Sequence, residues 1–234
     1  YHLYISWACP WAHRTAIVRS LMGLDEVISL SVVDPVWNEK GWTFTESEGC
    51  IPDFVNNQKD LIDIYRLANP DYTGEETTPV LWDKKHKTIV NNESLDIIKM
   101  FANDFTQFAK NKTDLYPSKN RTEIDRIVQE IYPTINNGVY RTGFATSQKA
   151  YERAYRQLFT ALDHWEEELS KSRYLCGDRL TLADVCLFTT LFRFIKRHYY
   201  ISQKAINPTQ VVPLGPDLNF TLPHGRGKQE KYAK

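Results

Sequence analysis

Trp7-Ala-Cys-Pro-Trp-Ala-His-Arg14 is the stretch on which the interpretation of this sequence depends. Just before it, residues 1–5 are rich in aromatic and β-branched side chains, a composition typical of a short strand. Just after it, residues 12–22 carry apolar side chains at helical spacing. Pro10 falls in the first turn of that helix, where its missing N–H would have had no partner. The pattern therefore places Cys9 at a strand-to-helix turn, beside the positive end of a helix.

This position favours a nucleophilic role for Cys9. A helix N-terminus and a nearby cation such as Arg14 both favour the thiolate, which is the reactive form of cysteine. Position 12 is alanine, so the chain has no Cys-x-x-Cys pair here, and a monothiol mechanism needs a second thiol such as glutathione. The alternative is a small apolar cysteine buried at the end of a strand.

Composition excludes several classes of protein. The 234 residues suffice for one large or two small domains. The formal net charge of zero does not indicate binding to nucleic acid or to an anionic membrane. No apolar run is long enough to span a bilayer. The four cysteines have neither paired nor metal-ligand spacing, so we expect no metal site and a reducing compartment, the cytoplasm. We also expect no signal peptide, since the chain opens within a strand.

The order of predicted elements divides the chain in two. The first part follows a β-α-β-α-β-β-α order, which is the thioredoxin-like arrangement, and its first crossover is expected to be right-handed. After about residue 105 the strand signals fade and only helical periodicity remains. We therefore predict a thioredoxin-like domain over residues 1–103 and an all-helical domain over residues 115–234 with a C-terminal wrapping tail. The predicted helices of the second domain span residues 121–135, 147–172 and 182–193.

A thioredoxin-like half that carries this cysteine motif, followed by a helical half, resembles the glutathione transferase superfamily. More narrowly, the chain resembles the glutathionyl-hydroquinone reductases, or Xi-class transferases, which are related to the omega class. The stretches that carry the resemblance run almost from end to end. They are Cys9-Pro-Trp-Ala-His-Arg14, Gly41-Trp-Thr-Phe44, Pro79-Val-Leu-Trp-Asp83, Val90-Asn-Asn-Glu-Ser94, Asn136-Asn-Gly-Val-Tyr140, Gly143-Phe-Ala-Thr146, Leu187-Phe-Thr-Thr190 and Pro223-His-Gly-Arg226.

The resemblance implies a glutathione site. Thr78-Pro79 corresponds to the cis proline beside the active cysteine, whose neighbouring backbone pairs with the extended tripeptide, although a trans proline at an edge strand is the alternative. Glu93 and Ser94 would hold the γ-glutamyl end at a helix start, and the same geometry also serves a plain N-cap. Trp42 would line the glutathione sulfur or the cysteinyl-glycine side, unless it is simply a core tryptophan.

The resemblance also implies an enzyme that reduces aromatic glutathione conjugates. Tyr132 and Tyr199 match the tyrosines whose hydroxyls hold the hydroquinone oxygens, and Tyr140 is a close rival for the first role. Such enzymes use glutathione as co-substrate, and the family suggests a homodimer. Two alternatives stay open: an omega-like thioltransferase or dehydroascorbate reductase, and a non-catalytic ligand-binding member of the fold.

One departure from the family falls between Phe194 and Ile195. Relatives carry a few dozen residues after Phe192-Arg-Phe194 before the stretch that begins at Ile195, whereas here the two are joined directly. Either this is a shortened form of the protein, or a segment is left out of the sequence and the join is not a peptide bond. In the shortened form, losing much of the helical domain could destroy the electrophile pocket.

Overall fold

The computed structural model describes residues 1–195, which belong to two compact units. The first comprises residues 1–126 and 174–189, and the second comprises residues 127–173 and 190–195 of the described part. This division by contacts differs from the predicted bounds of 103 and 115. The difference arises because the later segment is tied back to the first unit: the Leu182 N–H donates to the Leu115 carbonyl at 2.9 Å.

The first unit is built on one four-stranded sheet with the order β2-β1-β3-β4. Strand β1 pairs parallel with β2, and β3 pairs antiparallel with both β1 and β4. This is the predicted thioredoxin-like topology, with β1 buried along its whole length. The strands are β1 (His2–Ser6), β2 (Ser29–Val33), β3 (Val80–Asp83) and β4 (Thr88–Asn91).

Helices cover the sheet and form the second unit. They are α1 (Pro10–Leu21), α2 (Leu61–Ala68), α3 (Ser94–Asn103), α4 (Arg121–Ile131), α5 (Asn137–Gly143), α6 (Gln148–Lys171) and α7 (Leu182–Ile195), with 3₁₀ turns at Thr106–Phe108 and Ser118–Asn120. In the first unit, α2 packs Leu61 and Ile64 into a buried cluster with Tyr4, Val80 and Trp82 of the sheet. Helices α1 and α3 pack against each other. Together these contacts hold the start of α1 in a fixed place beside β3.

Helix α1 ends where glycine allows the chain to turn. Gly23 has a φ of +65°, a left-handed conformation that residues with a Cβ rarely adopt. A Cβ at this position would also come within 2.9 Å of the Lys110 Cβ. The turn at Gly23 thereby leads the chain from α1 toward β2, which pairs parallel with β1.

The predicted helix over residues 121–135 is present, but its last turn is π-helical rather than α-helical. Helix α4 ends at Ile131, and Tyr132–Asn136 form a π-helical segment that leads into α5. Pro133 causes the change of register, since it has no N–H to donate to an earlier carbonyl. Side chains satisfy the displaced carbonyls: Thr134 Oγ1 donates to the Glu130 carbonyl at 2.6 Å, and Arg141 Nη2 donates to the Pro133 carbonyl at 2.8 Å.

The predicted break between residues 194 and 195 lies at the edge of what the structure describes. Phe194 and Ile195 are the last two residues of α7, and residues 196–234 lie outside the described part. The break therefore stays a prediction. Within residues 1–195, none of the helices is both long enough and apolar enough to cross a membrane.

Candidate active site

Cys9 caps helix α1, as the sequence predicts. Its backbone is extended (φ −85°, ψ 118°), and Pro10 occupies the first helical position. The Ala12 N–H donates to Cys9 Sγ at 3.4 Å, and the thiol in turn approaches the Thr78 carbonyl oxygen at 3.4 Å. The sulfur is thus half-buried, receives a helix N–H, and lies beside the loop that enters β3.

Thr78 and Pro79 are joined by a cis peptide bond, also as predicted. The loop that carries them is held by Tyr65 of α2, whose hydroxyl donates to the Thr77 carbonyl at 2.9 Å. Asn92 supports that hydroxyl from the other side, donating to it through Nδ2 at 3.1 Å. Sequence reasoning did not identify Tyr65 or Asn92 as supports, because their hydrogen bonds join residues 12 and 27 positions apart in the sequence. Together they fix the backbone facing Cys9.

The Thr78 hydroxyl gives a prediction about stability. Thr78 is 6% exposed, and its Oγ1 is buried with no hydrogen-bond partner among residues 1–195. A buried hydroxyl without a partner costs roughly 1–3 kcal/mol, so Thr78→Val should raise the free energy of unfolding by about 1 kcal/mol, as measured in urea. Thr15→Val is the matched control, because the buried Thr15 hydroxyl donates to the Ala12 carbonyl at 2.7 Å. An equal loss of stability in both variants would contradict the prediction.

Glu93 and Ser94 stand at the start of α3, where the sequence places them. Glu93 is the N-cap residue, its side chain is exposed and makes no capping bond, and its N–H donates to Asn91 Oδ1 at 2.7 Å. Ser94 is buried, and its hydroxyl accepts a hydrogen bond from Arg14 Nη1 at 3.4 Å. The first turn of α3 therefore presents an exposed carboxylate beside a serine that is linked to α1.

Trp42 is half-buried and is held by its backbone. Its N–H donates to Glu76 Oε1 at 3.2 Å, its carbonyl accepts from the Leu61 N–H at 2.8 Å, and its ring packs beside the buried cluster under α2. The nearby open cleft of about 630 Å³ is lined mainly by charged residues. Arg66, which lines this cleft, pairs with Asp63 at 3.4 Å.

His13 lies in the first turn of α1 and is half-buried. The His13 N–H donates to the Cys9 carbonyl at 3.1 Å. The His13 ring lies between two half-exposed aromatic rings, with centroids 6.3 Å from Trp7 and 6.2 Å from Phe188. These contacts link His13 to the turn that carries Cys9 and to α7.

The predicted tyrosines belong to the second unit or lie outside the described residues. Tyr132 opens the π-helical segment and is 46% exposed. Tyr140, its rival, lies on α5 with its ring stacked on Phe144 at 6.2 Å between centroids. Tyr199 lies outside the described residues. The structure thus brings Cys9, Thr78 and Pro79 directly together, while the roles of the tyrosines stay predictions.

No group of three or more histidine, cysteine, aspartate or glutamate side chains within residues 1–195 is arranged to hold a metal ion. The four cysteines are all free. Burial raises the pKa of the Cys186 thiol, and burial also raises the pKa of the Cys176 thiol. These two thiols are accordingly poor nucleophiles at neutral pH.

Comparison with known families places both parts of the chain in one class. Residues 8–104 match the family described as "Glutathione S-transferase, N-terminal domain", and residues 148–221 match "Glutathione S-transferase, C-terminal domain". The fold and these two matches define a glutathione transferase. The predicted combination of a thioredoxin-like half and a helical half is therefore confirmed.

Comparison with individual relatives places the chain in one class within the glutathione transferases. Glutathionyl-hydroquinone reductase PcpF of Sphingobium chlorophenolicum is 43% identical over 258 aligned positions, covering 92% of this chain and 82% of the relative. The structure of a Xi-class transferase from Natrialba magadii has a TM-score of 0.83 and 44% identity, covering 97% of this chain and 83% of that one. The glutathione-bound structure of YqjG from Escherichia coli K-12 also has a TM-score of 0.83, with 41% identity over 97% and 88% of the two chains. This chain belongs to the glutathione transferase family and, within it, to the Xi class that includes the glutathionyl-hydroquinone reductases.

Proposed function

We propose that this chain is a cysteine-type glutathionyl-hydroquinone reductase that uses glutathione as co-substrate. The observation that carries the proposal is the placement of Cys9. Its sulfur receives the Ala12 N–H at the start of α1 and lies 3.4 Å from the carbonyl that precedes cis-Pro79. Membership of the Xi class, with 43% identity to a reductase of that name, supports the substrate class.

The reaction that fits this site is a thiol transfer. The Cys9 thiolate attacks the sulfur of the glutathionyl-hydroquinone, a Cys9–glutathione disulfide forms, and the bond between sulfur and the aromatic carbon breaks. The electron pair of that bond stays with the ring, which takes up a proton and leaves as hydroquinone. A second glutathione thiolate then attacks the mixed disulfide, which releases oxidised glutathione and restores the Cys9 thiolate. The aromatic carbon is reduced by two electrons, and two glutathione sulfurs become one disulfide.

The proposal gives each predicted binding residue a chemical task. The backbone of Thr78, before Pro79, pairs with the cysteinyl unit of glutathione in the manner of an added strand. Ser94 and the N–H groups that open α3 bind the α-carboxylate of the γ-glutamyl unit, and Glu93 binds its ammonium group. Trp42 covers the cysteinyl-glycine side, where an aromatic face contacts sulfur favourably.

Tyr132 and Tyr199 hold the two oxygens of the hydroquinone in this proposal and supply the proton to the departing ring. The π-helical segment supports the role of Tyr132, since such segments occur frequently at functional sites. Its geometry is maintained by Arg141, which bridges the Pro133 carbonyl at 2.8 Å and Gln157 Oε1 at 3.2 Å. Tyr132 itself remains half-exposed, as a ligand contact requires.

The proposal also covers compartment, assembly and chain length. We place the enzyme in the cytoplasm, which suits four free cysteines, and we expect a homodimer by resemblance to the family.

The alignment with PcpF runs over 258 positions, more than the 234 residues of this chain, so the relative carries residues without a counterpart here. We infer that they fall between Phe194 and Ile195, and the intact mass of the purified protein will show whether they are present in the molecule.

The direct test of the function is the mass of the protein after mixing with glutathionyl-hydroquinone. We expect a glutathione adduct on Cys9, its removal by a second glutathione, and stoichiometric release of hydroquinone and oxidised glutathione. Absence of any adduct would favour the non-catalytic ligand-binding alternative. A chain that reduces small disulfides or dehydroascorbate rapidly but leaves the conjugate intact would be an omega-like thioltransferase instead.

The tyrosine assignment is tested with Tyr132→Phe. We expect its kcat for the conjugate to fall by about tenfold or more, because a phenol that holds and protonates the leaving ring is lost. Its rate with a small disulfide should not change, since that reaction needs only Cys9 and glutathione. Tyr140→Phe is the matched variant, and a selective loss there rather than at position 132 would transfer the role to Tyr140.

A further inference from the structure

Arg14 is a buried cation on the helix that Cys9 opens. It is 2% exposed, the most deeply buried arginine within residues 1–195. Taking a charge out of water is costly unless fixed polar groups compensate it. The buried Arg14 guanidinium is therefore stabilised by the polar groups around it. Those groups indicate which part of the site Arg14 positions.

Three different elements surround the Arg14 guanidinium. Nη1 donates to Ser94 Oγ at 3.4 Å, and Nη2 donates to the Cys186 carbonyl oxygen at 3.4 Å in α7. The guanidinium carbon lies 4.4 Å from the centroid of the Trp11 ring, a cation–π contact within α1. The cation thus joins the first turns of α1 and α3 to the start of α7, all within the first unit.

The hydrogen bond from Arg14 determines to which side the Ser94 hydroxyl can donate its proton. Arginine carries only donors, so in this bond the Ser94 oxygen must be the acceptor. The hydroxyl proton is consequently left to point away from Arg14 and to donate to another group. An acceptor that arrives at the first turn of α3, such as a carboxylate, meets a donated proton with a positive charge behind it.

We propose that Arg14 is a positioning residue for the γ-glutamyl α-carboxylate of glutathione, acting through Ser94; this inference rests on the proposed function. Arg14 polarises the Ser94 hydroxyl toward the carboxylate and places a positive charge behind that hydroxyl. Because Arg14 and Cys9 belong to the same helix, the arrangement also fixes the distance between the γ-glutamyl site and the thiol. Arg14 thus contributes to the binding of the γ-glutamyl α-carboxylate and takes no part in the reaction at the sulfur.

The test compares two non-reactive ligands that differ by one carboxylate. S-methylglutathione has the γ-glutamyl α-carboxylate, and S-methyl-(4-aminobutanoyl)-cysteinylglycine is the same molecule without it. In the unmodified protein, calorimetry should show that S-methylglutathione binds more tightly. In Arg14→Gln, we expect its Kd to rise by about tenfold, while the Kd of the decarboxylated ligand changes by less than about twofold. An equal weakening of both ligands would mean that Arg14 only supports the fold, and would overturn the proposal.

Two further variants keep the test decisive if Arg14→Gln does not fold. Ser94→Ala should lose the same discrimination between the ligands, and Arg14→Lys, which keeps the charge, should retain part of it. Where Arg14→Gln does fold, the double variant with Ser94→Ala should be no worse than the stronger single one, since both changes remove one interaction. Full discrimination in Ser94→Ala would contradict the proposal.

The control for loss of an arginine from α1 is Arg19→Gln. Arg19 lies on the same helix but donates to the Ile28 carbonyl at 2.6 Å and pairs with Asp25, away from α3. It should leave the preference for S-methylglutathione unchanged. If the unmodified protein binds neither ligand, the proposed glutathione site itself fails; if it prefers S-methylglutathione and Arg14→Gln keeps that preference, only the role of Arg14 fails.

Discussion

Cys9→Ala should lower kcat/KM for the reduction of glutathionyl-hydroquinone by at least about a thousandfold, since Cys9 supplies the attacking sulfur in the proposed reaction. The alanine methyl cannot form the mixed disulfide, so the glutathione adduct should also disappear from the mass spectrum. The measurement is hydroquinone release under steady-state conditions. Cys9→Ser is a useful second variant, because its hydroxyl keeps the polar contacts of the cap while being a much weaker nucleophile.

Cys50→Ala is the matched control for this loss. Cys50 is a half-buried free cysteine, like Cys9, but it lies in a loop in which its N–H donates to the Ser47 carbonyl at 2.9 Å. Its removal should leave turnover within about twofold, the range expected for a change remote from a site. Retained turnover in Cys9→Ala would show that the nucleophile is misassigned, and loss in Cys50→Ala would point to a second reactive thiol.

Acid should destabilise this protein through His2 before most carboxylates are protonated. His2 is fully buried in β1, with Nδ1 2.7 Å from Ser29 Oγ and with its ring against those of Tyr4 and Phe54. Burial lowers the pKa of His2 from 6.5 to about 4, partly offset by Asp53. Its Nε2 has no hydrogen-bond partner among the described residues, so nothing there compensates a second proton on the ring.

The sign of the effect follows from proton linkage. An unfolded chain protonates His2 as pH falls below 6.5, whereas the folded chain does so only near pH 4. Neutral, buried His2 therefore contributes its full stabilisation above pH 6.5. This contribution is lost as the pH falls from 6.5 to about 4. Between pH 7 and pH 4.5, this one group should lower the free energy of unfolding by about 2 kcal/mol.

Urea unfolding of the unmodified protein and of His2→Phe at the two pH values measures this effect. The variant keeps a ring of similar size but cannot titrate, so its stability should fall by about 2 kcal/mol less over the same interval. Ser29→Ala is the control: it removes the partner of Nδ1 but keeps the buried imidazole, and should retain the steep dependence. Parallel pH curves for the unmodified protein and His2→Phe would contradict the prediction.

The features that were predictable from sequence are those encoded by neighbouring residues. Cys9 followed by Pro10 identifies the cap and first turn of α1, and the residue types around Glu93 identify the start of α3. The order of strands and helices in the first unit follows from alternating and helical periodicity in the same way. The cis bond before Pro79 was inferred from family resemblance, because general base rates argue against a cis proline.

The features that were not predictable depend on residues far apart in sequence or on a local change of register. Arg14 was expected to act as a cation near Cys9, but its hydrogen bonds join it to Ser94 and to the Cys186 carbonyl, 80 and 172 positions away. No local pattern reports such partners. Likewise, the apolar spacing around Pro133 is helical, and periodicity alone cannot distinguish an α-helical turn from a π-helical one.

The return of residues 174–189 to the first unit limits how this protein can be divided or recombined. The carbonyl that receives Arg14 and the helix start that bonds to Leu115 are encoded late in the chain, after most of the second unit. A gene fragment that stops after residue 126 would leave a buried guanidinium without that acceptor. A chimera between relatives that exchanges the thiol-bearing half must therefore carry the late segment with it, which makes the two halves interleaved components rather than exchangeable modules.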